Sequence, residues 1–367
     1  MRVIPPFPII SVADWTCNVP ENVTTWSAAT TYAASEVTKI DPGIGGGVRH
    51  QYISLLPGNL NHDPSTSSSW WKFLAEQYVG YNVTVTYGLG DKVCDNITHR
   101  NYQSLVAGNV GNLLTDTTKW MDIGPTNSTG AFDLNRGTKT KSSSTLIFTI
   151  RPVQNYDMNS LALFGLQATS VVVTVAEFST PSTYLYNTTF TLTPTNKVWL
   201  AYGDWLTGTN GPLYKDVLAI WNLPGGTDVI ITITVYNTAG TPGYAHTKLG
   251  SIVLGDYVEL GGAEYGAVND SINFSTVDRS FDGSIDLVVK RRSIPRNNYT
   301  TYALSSSINY LYKLRQILNA EVAAWFGITD YTATQFDALS ILGFYKRFSI
   351  VVDQQDRVRL DLEIEEV

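Results

Sequence analysis

The first third of the chain carries the same aromatic spacing twice. Tyr52 is followed six residues later by Gly58-Asn59 and 18 residues later by Trp70, and Tyr102 stands at the same distances from Gly108-Asn109 and Trp120. Upstream, Trp26 and Tyr32 are six apart with a threonine before the second ring, as are Tyr81 and Tyr87. Asp63-Pro-Ser-Thr66 in one copy answers Leu114-Thr-Asp-Thr117 in the other, and the first copy adds the glycine-rich insertion Asp41-Pro-Gly-Ile-Gly-Gly-Gly47. Each copy spans about 45 to 50 residues. A unit that small buries little core and depends on a few large rings or on its neighbour. The duplication predicts an N-terminal arm over 1–23 and two small β modules over 24–76 and 77–126.

Beyond Thr126-Asn127 the texture changes. Residues 127–260 read as consecutive strands: 145–150 and 170–176 are β-branched and apolar, 186–192 alternates, and 229–236 (Val-Ile-Ile-Thr-Ile-Thr-Val-Tyr) is the clearest strand signal. Pro181-Ser182, Pro194-Thr-Asn196, Pro224-Gly-Gly226 and Pro242-Gly243 punctuate them. Short strands with such turns predict a β-sandwich. Residues 261–367 read as an α+β domain. Ser305-Ser-Ser307 is placed to cap a helix in which Ile308, Leu311, Leu314, Leu318 and Val322 recur at helical spacing, running to Trp325-Phe326 and stopping at Gly327. A second short helix is predicted over 334–342. Phe348, Ile350 and Val352, then a polar turn over 353–356, then Val358, Leu360, Leu362 and Ile364 predict a hairpin with one apolar face. The strand-like run 285–290 completes a sheet beneath the helix. The fold class is therefore mainly β.

Only 16% of the residues are charged, against roughly 25% in an average soluble domain, while Tyr, Phe and Trp number 21, 13 and 9. Such a surface suits packing against other subunits. A net charge of −7 repels phosphate backbones and anionic lipids, so no nucleic-acid partner is expected. The densest basic run, Lys290-Arg-Arg292 with Arg296, reads as a solvated strand end or a partner for subunit carboxylates, with an anion site as the alternative. No stretch nears the ~18 apolar residues of a membrane span. Pro5, Pro6 and Pro8 interrupt the segment that a secretion signal would need to be apolar. Cys17 and Cys94 cannot form a disulfide framework, and two thiols fit synthesis in a reducing cytoplasm. Sequons such as those at Asn22, Asn82 and Asn298 are read as products of composition.

The repeat resembles small chitin-binding-type carbohydrate modules, whose pattern runs Trp, Tyr, Gly-Asp-x-Val, Tyr and a closing Trp. The matching residues are Trp26, Tyr32, Val37, Tyr52 and Trp70, then Tyr81, Tyr87, Gly90, Asp91, Val93, Tyr102 and Trp120. The first copy departs with Ser35-Glu36 in place of Gly-Asp, the second with Tyr81 for the leading Trp. The resemblance implies sugar binding through Trp26, Trp70, Trp71, Tyr87, Tyr102 and Trp120, each ring covering the C–H face of a pyranose. A Trp side chain buries roughly 150–250 Å², worth a few kcal/mol at ~25 cal/mol/Å² before binding costs. One such site is weak, and useful affinity requires several on an oligomer. The alternative is that these rings are the modules' own cores. Trp71 is the expected outward ring, because Trp70 fills the repeat position and strand neighbours point to opposite faces.

Trp120-Met-Asp-Ile-Gly-Pro-Thr-Asn127 with Ala131-Phe132-Asp133 resembles a junction in tail proteins of tailed bacteriophages. Ala324-Trp-Phe-Gly327, Gly343-Phe-Tyr-Lys-Arg-Phe-Ser-Ile-Val351 and Leu362-Glu-Ile-Glu365 are similar to the closing domain of that group. The resemblance covers nearly the whole chain. It implies a virion structural protein of the tail, tail fibre or baseplate, made in the host cytoplasm. Its partners would be other tail subunits and copies of itself, as trimer or hexamer, with host cell-surface polysaccharide at the N-terminal repeats. A purely structural tail adaptor and a secreted polysaccharide-binding accessory protein are the other readings.

No catalytic constellation emerges. His50, His62, His99 and His246 show no metal-ligand spacing, neither cysteine forms a Cys-x-x-Cys pair, and no nucleophile elbow or phosphate loop is present. The glycine run at 43–47 lacks the Lys-Ser/Thr of a phosphate loop. His99 reads as a packing residue. A glycosidase would need two carboxylates about 5–9.5 Å apart, with Asp204 beside Trp205, or Glu259 and Glu264, as candidates. The expectation is a non-enzymatic protein with no metal or cofactor.

Overall fold

The computed structural model describes the chain except for residues 10–12, 22, 41–46, 153–157, 193–214, 227, 238–245, 265, 280, 283, 334 and 353, and except for the side chains of 285–287. The fold is mainly β, with several sheets and, among the described residues, one α-helix near the C-terminus, Ile308–Ile317.

At the centre lies a three-stranded sheet, ordered Val217–Trp221, Ser160–Phe164, Ser251–Gly255. Every residue of the latter two strands is buried. A strand covered on both faces reads as a continuous apolar run rather than an alternation, and Leu161-Ala-Leu-Phe164 is such a run. One face sets Leu161, Leu163, Ile220 and Leu254 against Phe148, Val173 and Ile233. Those three belong to a five-stranded sheet ordered Tyr184–Thr191, Ser170–Glu177, Val229–Tyr236, Leu146–Pro152, Ala13–Cys17. The other face sets Ala162, Phe164 and Val253 against Ile4, Phe326 and Leu342. Phe164 stacks on Phe326 with ring centroids 5.8 Å apart, and Phe326 on Phe336 at 5.7 Å.

Ile4, Phe326 and Leu342 belong to an eight-stranded sheet built mainly from the C-terminal third. Its core strands are Arg2–Ile4, Ala323–Phe326, Ser340–Val351, Arg357–Glu366 and Ser293–Leu304. Alternation divides its two faces: Val3 and Trp325 turn away from the central sheet toward Leu311, Leu314 and Leu318 of the helical segment. Gly343 permits the close strand contact, since a Cβ there would lie 1.9 Å from the Glu365 carbonyl oxygen. The predicted N-terminal arm is thus stitched into two sheets, Arg2–Ile4 into one and Ala13–Cys17 into another.

The two repeats share one six-stranded sheet, ordered Trp120–Pro125, Arg100–Ser104, Lys92–Asp95, Trp71–Gly80, Val48–Ser54, Val37–Ile40. The copies join where Val79 and Gly80 pair in parallel with Val93 and Cys94.

Several expectations are corrected. The helix ends at Ile317, Ala320 takes the left-handed conformation (φ 62°), and Ala323–Phe326 is a strand. Trp325 and Phe326 belong to that strand because sheet alternation buries both rings, on opposite faces. Ser307 occupies the N-cap without capping; its hydroxyl donates to the Leu304 carbonyl. The described part of 334–342 is turns followed by the strand Ser340–Val351, because pairing with Ala323–Phe326 claims the latter residues for the sheet. Ile285–Val289 pairs with Thr276–Arg279 in a separate ribbon rather than joining the sheet beneath the helix. The C-terminal hairpin forms as the alternation predicts, with Phe348 opposite Leu362 and Ile350 opposite Leu360, while Val352 lies outside it and exposed. The turns at 194–196 and 242–243 fall outside the described residues.

An ionic knot ties the middle of the chain to its end. Arg136 donates to Glu366 at 3.0 Å and to Asp216, and Arg292 reaches the second Glu366 oxygen at 3.0 Å. Burial, then the negative charge of Asp216, pushes the Asp337 carboxyl up to about 6, against the pull of Lys215. The folded chain therefore holds that proton more tightly than the unfolded chain, whose aspartates titrate near ~3.9. The contribution of this group to stability falls as pH rises from about 4 to about 6, and is lost above that. Asp337→Asn is expected to melt above the parent at pH 8 and with it at pH 4, by scanning calorimetry. Truncating the central contact, Phe164→Ala, is expected to cost about 3–5 kcal/mol in urea unfolding.

Candidate ligand face of the paired modules

The two copies repeat each other hydrogen bond by hydrogen bond. The Tyr32 hydroxyl accepts from the Ser27 amide at 2.8 Å, and the Tyr87 hydroxyl from the Asn82 amide at 2.9 Å. Asn59 donates to Ser54 Oγ, and Asn109 to Ser104 Oγ, both at 3.0 Å. Trp71 Nε1 donates to the His62 carbonyl at 2.7 Å, and Trp120 Nε1 to the Asn112 carbonyl at 3.1 Å. Tyr32 meets Trp71 edge-on at 5.1 Å, and Tyr87 meets Trp120 at 5.3 Å.

This register corrects the sequence alignment at two positions. Trp71, not Trp70, is the counterpart of Trp120. The first copy has one more residue than the second between the carbonyl that receives the indole and the ring itself. Thr38, not Val37, matches Val93, since Thr38 pairs with Tyr52 as Val93 pairs with Tyr102. Ser35-Glu36 does the work of Gly90-Asp91. Ser35 takes φ 68° where Gly90 has 88°, and the Glu36 carboxylate accepts from the Ala33 amide at 2.9 Å as Asp91 does from the Gly88 amide at 2.7 Å.

Three of the six candidate rings are core. Trp71, Tyr87 and Trp120 are each 2% exposed, as is Tyr32. The expectation that Trp71 points outward is therefore corrected: a module of this size needs its largest ring inside, with the indole N–H satisfied. Trp26, Trp70 and Tyr102 are half-buried. Trp26 carries a buried Nε1 with no acceptor among the described residues. Trp70 stacks on His62 with ring centroids 4.1 Å apart and planes 13° from parallel.

Trp70 has no aromatic twin. Its carbonyl accepts from Leu55 and Asn59 as the Lys119 carbonyl accepts from Leu105 and Asn109, so Lys119 stands at its place in the second copy. Beside these positions both copies expose an aliphatic pair five residues apart around the Gly-Asn turn, Leu55 with Leu60 and Leu105 with Val110. The sequence reading missed this pair, although the repeat spacing displays it.

The modules are braced against the rest of the chain. Glu21 accepts from His99 at 2.8 Å and from the Thr126 and Ser128 hydroxyls. The Trp15 ring lies edge-on to His99 at 5.2 Å and to Phe132 at 5.1 Å. His99 is thus a packing residue at this junction. A cavity of about 230 Å³ opens nearby, lined by polar groups that include Glu76, Tyr78, Asn101, Asn127 and Lys141. Lys141 and Glu76 approach to 3.8 Å across its rim.

Cys17 and Cys94 are free thiols, and burial pushes them up to about 12 and about 11, which leaves almost no thiolate at neutral pH. Among the described residues no group of three or more His, Cys, Asp or Glu could hold a metal ion, and no helix is long and apolar enough to cross a membrane. Glu259 lies 3.9 Å from Arg2, Glu264 is exposed, and Asp204 with Trp205 falls outside the described residues. No family model and no curated protein matches the chain.

Two neighbouring substitutions separate core from surface. Trp71→Ala is expected to cost about 3–5 kcal/mol in urea unfolding. Trp70→Ala, at a half-exposed ring, is expected to cost about 1 kcal/mol or less.

Proposed function

We propose that the chain is a structural protein of a bacteriophage tail, from the fibre or baseplate region, that holds a weak host-polysaccharide site at Trp70. In this reading it comprises two small β modules (24–76 and 77–126), a β-sandwich (127–260) and a C-terminal α+β domain (261–367). The observation that carries the proposal is the Trp70–His62 stack, set beside Leu55 at the turns that flank Val48–Ser54 and Trp71–Gly80 of a module sheet braced to the body through Glu21 and Trp15. One indole face is taken by imidazole, so a pyranose would use the other, with Trp26 and Tyr102 as further half-buried rings. Braced modules lose little freedom on binding, which favours a site otherwise limited by ring area. Copies on a tail would supply the avidity that one ring lacks. The chemistry is binding without turnover, and the place of action is the virion, among other tail subunits.

A second reading, a purely structural tail adaptor, is favoured by the burial of Trp71, Tyr87 and Trp120, which spends half of the candidate rings on module cores. Retention of chitohexaose and of purified capsular and cell-wall polysaccharides on beads densely loaded with the full chain separates the two. Trp70→Ala is expected to lower retention about tenfold with unchanged melting, and Lys119→Trp, which places a ring at the equivalent site of the second copy, to raise it. Equal retention by all three proteins would leave the adaptor reading standing.

A further inference from the structure

Val268–Asn273 pairs along Ser293–Leu304 of the eight-stranded sheet, and past Arg296, where pairing with Arg357–Glu366 stops, residues 271–273 and 293–295 run outward as a two-stranded ribbon. Ser275 carries the ribbon onward, its hydroxyl donating to the Arg291 carbonyl at 3.3 Å and accepting from the Arg291 amide at 2.9 Å. Thr276–Arg279 then pairs with Ile285–Val289, and among the described residues these two strands pair with no others. Two strands alone are marginal in water and need a third strand or a packed face. This pair exposes apolar side chains instead: Val277 (47%) opposite Val288 (47%), Val289 (37%), Phe274 (48%) at the root and Phe281 (109%) in the turn. Scattered exposed apolar residues are ordinary, but a run of them along one unsupported ribbon marks a contact surface.

The arrangement of charge says what covers it. At the outer end Asp278, Arg279 and Asp282 are all exposed and leave one net negative charge, Lys290 and Arg291 are exposed at the root, and Val277 and Val288 lie between. A second ribbon laid antiparallel across a two-fold axis would set each acidic turn over the other's basic root, with the valines meeting in the middle. A patch with opposite signs at its two ends is complementary to its own copy, as an isologous contact requires.

We infer that this ribbon is a self-association arm, and that its partner is the same ribbon of a second copy of the chain. A two-fold contact of this kind builds a dimer, or a hexamer when joined to a three-fold contact elsewhere. The inference extends the assembly side of the tail reading but rests on the ribbon alone, so it stands or falls independently of polysaccharide retention.

Sedimentation velocity of the full chain over a hundredfold concentration range tests it. The parent is expected to shift reversibly from monomer to dimer or hexamer. Phe281→Asp with Val277→Asp is expected to weaken association at least tenfold while leaving the melting temperature unchanged, and Asp282→Lys, which also gives up the turn bonds from the Ser284 amide and hydroxyl, to weaken it as much. Lys290→Glu with Arg291→Glu is expected to do the same, and combining those two with Asp282→Lys to restore association. A parent monomeric throughout overturns the inference. So does association that none of these changes affects, or a charge-swapped triple variant no tighter than Asp282→Lys.

Discussion

Everything in this fold leans on a sheet of three strands that water touches on neither face. Ser160–Phe164 and Ser251–Gly255 have no solvent side, so their residues cannot alternate and must all be small or apolar. One face closes the core shared with the five-stranded sheet, and the other closes the core shared with the C-terminal sheet. The N-terminal segment reinforces this by pairing into both outer sheets within its first 17 residues. Three layers held in this way have little independence. A change at Phe164 is felt in two cores at once, because the same backbone carries Leu163 toward the other layer.

The paired modules meet a different constraint, smallness. Each can afford one large buried indole, and each spends it in the same way, with the N–H tied to a loop carbonyl and a tyrosine edge against the ring. Joining Trp71–Gly80 to Lys92–Asp95 turns two marginal sheets into one of six strands. That solution consumes the rings a carbohydrate module would display. What remains outside is asymmetric, Trp70 in one copy and Lys119 in the other. Duplication has therefore supplied a fold twice and a stacked, half-buried indole once.

Much of this was legible in residues whose environment is uniform along an element. The strict alternation from Val358 to Ile364 gave a strand with the right inward face, and the β-branched run 229–236 gave a strand. The duplication was legible because rings and glycines at turns tolerate little drift. The failures have local causes. A single inserted residue before Trp71 reversed which indole is buried, and spacing counted from Tyr52 could not reveal it. The helix was extended to Phe326 because Val322, Trp325 and Phe326 fit helical spacing as readily as strand alternation, while a left-handed Ala320 has no sequence signature. Glu36 replaces Asp91 through a longer carboxylate reaching the same kind of amide, a substitution that pattern matching scores as a departure. The run 285–290 reads as part of the sheet beneath the helix because its residues look like those of any core strand. Only pairing shows that it is not.

The basic run at 290–292 shows how so few charges are shared out. Arg292, itself exposed, reaches back to Glu366 and, through it, to Arg136 and Asp216, closing the chain's end onto its middle. The Glu366 carboxylate is nearly fully buried, so salt screens this knot weakly. Lys290 and Arg291, immediately before it, remain outside at the root of the ribbon. Contacts made there face water and weaken with ionic strength over a screening length of about 8 Å. The same three residues thus divide between a tie to the buried Glu366 and a surface left to solvent. The external surface springs from the C-terminal sheet, whereas Trp70 lies in the turn that leads into Trp71–Gly80 of the module sheet, so the proposed self-association and ligand contact would rest on separate elements. Assembly through the ribbon need not cover the ring, and a chain so joined would present one Trp70 per copy.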